Sequence, residues 1–170
     1  MCLSVNLNYH KVEDNKPIAL IAKQSLLVYK MLSSTDGVHY HTPFQYQNIN
    51  FDDKYGMFFY ETTKFSIFED LDYEYNVTCG IHSFMDIHIA NLVKKYFQKR
   101  SIIRIVIRHA IIPKGSKFYI GVDGDVVSND LVVFKSKTKY NENKDYFGDE
   151  PIEFSEYLES LAQDLIVSKV

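Results

Sequence analysis

The sequence has no tryptophan, only two cysteines, and no uninterrupted apolar run of about 18 residues. The last absence excludes a membrane-spanning helix. The N-terminal stretch MCLSVNLNYHKVEDNK lacks the basic flank and apolar core of a secretory leader, so the expected location is the cytoplasm. Cys2 and Cys79 fit no metal-ligand spacing; Cys79 reads as a small buried hydrophobe and Cys2 as incidental. Also missing are G-x-S-x-G, H-E-x-x-H, a Walker loop and a glycine-rich dinucleotide fingerprint. Their absence argues against the commoner hydrolase and cofactor classes, and no cofactor is expected. No repeat, low-complexity segment or linker divides the chain, so residues 1–170 are read as one domain.

What is present is a globular composition with 46% hydrophobic and 24% charged residues, which argues against disorder. At 170 residues most of the unfolded surface can be buried without a disulfide or metal staple. The aromatic content is unusual, with 13 Tyr and 12 Phe. Mutational bias of an AT-rich genome accounts for that excess as well as an aromatic-lined binding face does.

Charge is segregated although the net value is only -3. From Lys94 to Lys117 stand eight basic residues and no acid, namely Lys94, Lys95, Lys99, Arg100, Arg104, Arg108, Lys114 and Lys117. Residues 141–164 carry eight acids against Lys144, and residues 52–86 carry eight against Lys54 and Lys64. Such a division either presents a basic patch to an anionic partner or pairs basic with acidic elements inside the fold.

Residues 1–16 look like an irregular or edge segment. Ser25 to Lys30 reads as a buried strand, followed by a turn at Ser33-Ser34-Thr35-Asp36-Gly37 and a return to extended chain at Val38. Residues 51–75 interleave acids with aromatics and fit either short strands or an aromatic-anchored loop. The spacing predicts a helix over about 84–99, with Ser83 and Asp86 as a capping box and Met85, Ile89, Val93 and Tyr96 on its buried stripe. A strand follows from Ser101 to Ile112, with Arg104 and Arg108 on its even face. A meander covers 118–134, with Asp123-Gly124 as a hairpin turn. Residues 135–150 read as a polar loop, and a terminal helix spans about 153–168. The expected class is α+β, a mixed or antiparallel sheet with one central helix and a C-terminal helix.

Several residue groups invite a functional reading. His39 and His41 share one side of a strand, as metal ligands do, with His82 or His88 as a third ligand, but turn histidines give the same pattern. Asp123, Asp125 and Asp130 lack the closing glutamate of a calcium loop and read as a hairpin. Arg104 and Arg108 stand about 13 Å apart along a strand, too far to clamp one phosphate together. With Lys94, Lys95 and Lys99 they form the expected binding surface, or else they pair with the acidic segments. Gly80-Ile81-His82-Ser83-Phe84 stands at the helix entry, where free amides favour an anion; the alternative is that Ser83 caps the helix and His82 packs.

The run Gly80-Ile81-His82-Ser83-Phe84, with 110–121 (AIIPKGSKFYIG) and 125–131 (DVVSNDL), resembles small uncharacterised proteins of bacteriophages and mobile elements over about residues 78–134. More remotely, Leu27-Val28-Tyr29-Lys30 with Thr42-Pro43-Phe44 and the His-Ser-Phe helix entry is similar in layout to ADP-ribosyltransferase-like folds. Lys30 stands where that family carries Arg or His, and no downstream catalytic Glu follows the meander. The leading expectation is a non-enzymatic intracellular binding protein, phage-encoded, that docks on and modulates a host protein or nucleoprotein as anti-defence inhibitors do. The alternative is an ADP-ribosyltransferase-like enzyme or nucleotide-binding domain using Tyr29, Lys30, His82 and Ser83. Direct nucleic-acid binding ranks third because the net charge is negative.

Overall fold

The computed structural model describes residues 3–43, 47–62, 64–72 and 74–168; Cys2, Phe44 and Tyr73 lie outside them. The architecture is α+β and dominated by sheet, with 41% strand against 21% helix. Three helices are described rather than one central helix and one terminal one: α1 (Ile87–Gln98), α2 (Lys137–Asn143) and α3 (Phe154–Ser168).

The main sheet runs in the order Leu20–Ile21, Lys117–Ile120, Asp125–Ser128, Ile81–Phe84, Leu26–Ser34, Arg104–Ile112, Asp130–Phe134, Met57–Glu61, each pair antiparallel. Ile152–Glu153 adds a parallel pairing with Leu26 and Leu27, and Tyr40–His41 pairs at Ser33. The third and seventh strands of that order are joined by Asn129 alone. Four strand spacings make about 19 Å in a flat sheet, far beyond the reach of one residue. The sheet must therefore curl until its two halves meet. Asn129 stands at the meeting point, donating its amide to the Lys117 carbonyl at 3.1 Å and accepting from the Thr62 amide at 2.8 Å.

Curling gives the strands two buried faces. Leu26, Val28 and Leu32 of the central strand, Leu26–Ser34, lie with Val106, Ala110 and Ile112 inside the curl, where Phe154 and Tyr157 of α3 cover them. Leu27, Tyr29 and Met31, with Ile105 and Ile111, face outward against Ala90, Val93 and Phe97 of α1 and Tyr140 of α2. All nine residues of the central strand are buried. A small sheet with Leu3–Ser4 at its edge, then Tyr75–Cys79 and Ser66–Glu69, covers Tyr119 and Val127, so residues 3–4 form an edge strand.

Other expectations need correction. Ser33 and Ser34 end the central strand and do not belong to the turn. Residues 101–103 precede their strand, which begins at Arg104. The polar stretch 135–150 contains α2, whose cap is the Ser136 hydroxyl accepting from the Lys139 amide at 3.1 Å. Cys79 is exposed, not buried. The cap of α1 is Asp86, whose carboxylate accepts from the His88 amide at 2.6 Å; Ser83 lies in the preceding strand. Tyr96 is half-exposed and off the buried stripe.

Candidate functional site

Within Leu27-Val28-Tyr29-Lys30-Met31-Leu32, strand alternation sends consecutive side chains to opposite faces. Lys30 therefore points inward with Val28 and Leu32, and Tyr29 points outward. The structure separates two residues that the ADP-ribosyltransferase-like reading grouped. The Tyr29 hydroxyl donates to Glu153 at 2.9 and 3.2 Å, and burial together with that carboxylate holds the phenol well above its ordinary pKa.

Lys30 is opposed directly by Arg108 on the neighbouring strand. On its other side, the pairing of Phe84 with Tyr29 sets Ser83 across from Lys30. Ser83, Lys30 and Arg108 thus form a polar row across three adjacent strands inside an apolar curl. Lys30 is 7% exposed, and its Nζ donates to the His82 carbonyl at 2.6 Å. Arg108 donates to the Ile107 carbonyl at 3.3 Å and to the Tyr40 hydroxyl at 3.4 Å, with its guanidinium 5.4 Å from the Tyr40 ring centre. Phe51 meets Tyr40 edge-on at 6.3 Å. The Ser83 hydroxyl and Arg108 Nε are buried without a hydrogen-bond partner.

Among the described residues, no ion pair includes Lys30 or Arg108. Burial alone pulls the Lys30 ammonium down to about 8. An ammonium out of water costs several kcal/mol unless a counter-charge offsets it, and a second cation directly opposite adds repulsion. A bound oxyanion would offset both charges, and Arg108 Nε and the Ser83 hydroxyl are donors left without a partner.

The remaining expected residues fall elsewhere. His82 offers its carbonyl to Lys30, while its ring is buried with both nitrogens unpartnered. Burial and then the Lys30 charge lower its pKa to about 4. Lys94 and Lys95 lie on α1 and Lys99 is its C-cap, and the helix packs on the outward face of the sheet, whereas Arg104 and Arg108 belong to the opposite face. The expected basic surface is therefore divided, and Arg108 joins Lys30 instead. Local contacts account for the described ion pairs, Asp36–His39, Lys139–Glu142 and Lys144–Glu150. The C-terminal acids dock through hydroxyls and an amide: Asp149 accepts from the Ser25 amide at 2.7 Å and its hydroxyl at 2.5 Å. His39 meets Asp36 and His41 meets Ser33; among the described residues no group of three His, Cys, Asp or Glu could hold a metal ion. Asp123 and Asp125 flank the Gly124 turn of the hairpin.

Sequence reasoning missed the pairing of Lys30 with Arg108 and the part of Tyr40. The available signal was a lysine within an otherwise apolar strand. No family model, curated protein or solved structure matches this chain. The geometry therefore carries the functional reading.

Proposed function

We propose that this chain binds a small phosphate-bearing ligand of the nucleotide class, with Lys30 and Arg108 as its counter-charges. The observation that carries the reading is a buried ammonium whose hydrogen-bond partner is a neutral carbonyl, set opposite a guanidinium, with no carboxylate paired to either among the described residues. Ser83 adds an unused hydroxyl. The Tyr40 ring stands beside Arg108, with Phe51 edge-on against it, and an aromatic surface next to the guanidinium favours a nucleotide, whose planar base can pack there, over bare phosphate.

Binding rather than catalysis is proposed, because the row Ser83–Lys30–Arg108 supplies donors and positive charge but no carboxylate to act as a base. Isothermal titration with inorganic phosphate, pyrophosphate, ADP and NAD tests the assignment. ADP or pyrophosphate is expected to bind, with Lys30→Met weakening the interaction about tenfold to a hundredfold, the worth of one charge-assisted hydrogen bond. Absence of binding by all four at millimolar concentration, or binding unchanged in both Lys30→Met and Arg108→Gln, contradicts it.

A further inference from the structure

Helix α1 carries a second apolar ridge that the sheet does not use. Its buried stripe, Ala90, Val93 and Phe97, packs on the outward face of the curl. Leu92 and Tyr96, one turn apart on the helix surface, are 66% and 51% exposed, and Ile102 just beyond the helix is fully exposed. The Arg100 guanidinium lies 4.2 Å from the Tyr96 ring centre. Lys95 and Lys99 follow Leu92 and Tyr96 at three-residue spacing and flank the ridge. Arg100 also borders a groove of ≈ 150 Å³ between Phe97, Ile103 and Ile105 on one side and Ser33 and Pro43 on the other. A cavity of about that size accepts a benzene-sized group.

The geometry points to this surface as a docking site for an acidic protein segment that carries one apolar anchor side chain. The anchor enters the groove or lies on Leu92 and Tyr96, and the flanking carboxylates meet Lys95, Lys99 and Arg100. Charge complementarity selects the partner, since no acid interrupts residues 94–117 and no ion pair occupies these cations among the described residues. An apolar centre with a cationic rim is also the anatomy of a protein interface, where aromatic and Arg side chains concentrate the binding energy. A single-stranded nucleic acid fits less well: of Leu92, Tyr96 and Ile102 only Tyr96 offers a ring on which a base could stack, and the Arg100 guanidinium already lies over it, while the chain is negative overall. This surface lies on the sheet face opposite Lys30, so it does not depend on the anion site.

Fluorescence anisotropy decides the matter with a short labelled peptide of Glu and Asp around one Phe, beside the same peptide with Phe→Ser, a dT oligomer, and sedimentation of the protein alone. The Phe peptide is expected to bind wild type and Lys30→Met alike. Binding should fall at least about tenfold in Leu92→Asn/Tyr96→Asn, in Lys99→Glu/Arg100→Glu, and for the Phe→Ser peptide, as expected for lost interface anchors. All four substitutions are at exposed positions, and an unchanged melting temperature establishes that the variants fold. No peptide binding, binding that survives charge reversal, tighter capture of the dT oligomer, or a self-association abolished by the same substitutions would each overturn the assignment.

Discussion

At the scale of single residues, Lys30 makes the least usual demand on the fold. Its lowered pKa means that the folded protein holds this proton less tightly than the unfolded chain, whose lysine titrates near 10.5. Between about pH 8 and 10.5 the unfolded state binds more protons, so this group makes stability rise with pH across that window. Anion affinity moves the other way and should fall above about pH 8 as the ammonium is lost. Lys30→Met removes a buried charge at little change in volume and is expected to raise the melting temperature of the ligand-free protein, which differential scanning calorimetry reads directly. His82 gives a second signature. Its folded pKa of about 4 lies below the ordinary 6.5, so the unfolded chain binds more protons in that interval and stability is lost as pH falls through it. The full shift corresponds to about 3 kcal/mol. Asp125, raised to about 6 by burial, acts in the opposite sense, so the comparison to make is wild type against His82→Leu in urea melts at pH 4.5 and 6.5. The pH dependence should be weaker or reversed in the variant; equal slopes in both proteins would contradict a buried neutral His82.

Among the elements, α1 shows where a sequence pattern succeeds and where it misleads. Ile89, Val93 and Phe97 do face the sheet, because helical periodicity reports the buried side whatever it packs on. The capping box misplaces the start of the helix, because Ser83 and Asp86 both have capping chemistry and only the strand pairing of Ser83 with Val126 excludes the former. Asp86→Ala should therefore cost about 1 kcal/mol, whereas Ser83→Ala should be neutral or stabilising without ligand, as its hydroxyl has no partner. Urea denaturation of the two variants separates these roles; a larger loss from Ser83→Ala would restore Ser83 as the cap. Helix α2 was illegible because Lys137-Thr138-Lys139-Tyr140-Asn141-Glu142-Asn143 has one buried anchor, Tyr140, and no apolar stripe. The edges of the central strand were hidden for a related reason: Ser33 and Ser34 have turn chemistry but are buried by neighbouring strands.

For the molecule as a whole, the curl of the sheet determines the core. Alternation along Ile103 to Ile112 suggested one apolar and one mixed face, yet both are covered, one by α1 and the other by α3 and the opposite half of the sheet. No local pattern could reveal this, because the closure depends on Asn129 joining strands that are distant in sheet order. The direct antiparallel pairing of their strands sets Lys30 opposite Arg108, 78 residues away in sequence, and the curl buries Lys30. Gly80 connects the small sheet to the main one with φ +137, and a Cβ there would collide with Val127. Gly80→Ala is expected to cost about 2–3 kcal/mol, measured by chemical denaturation; a loss near zero would mean that the two sheets are not held together at this point. The central claim, that the curl holds a buried ammonium in need of an anion, is tested most directly by an NMR titration of the Lys30 ammonium with and without pyrophosphate. A pKa near 8 is expected in the free protein, with an upward shift when the anion binds. An ordinary lysine value in the free protein, indifferent to pyrophosphate, would contradict it.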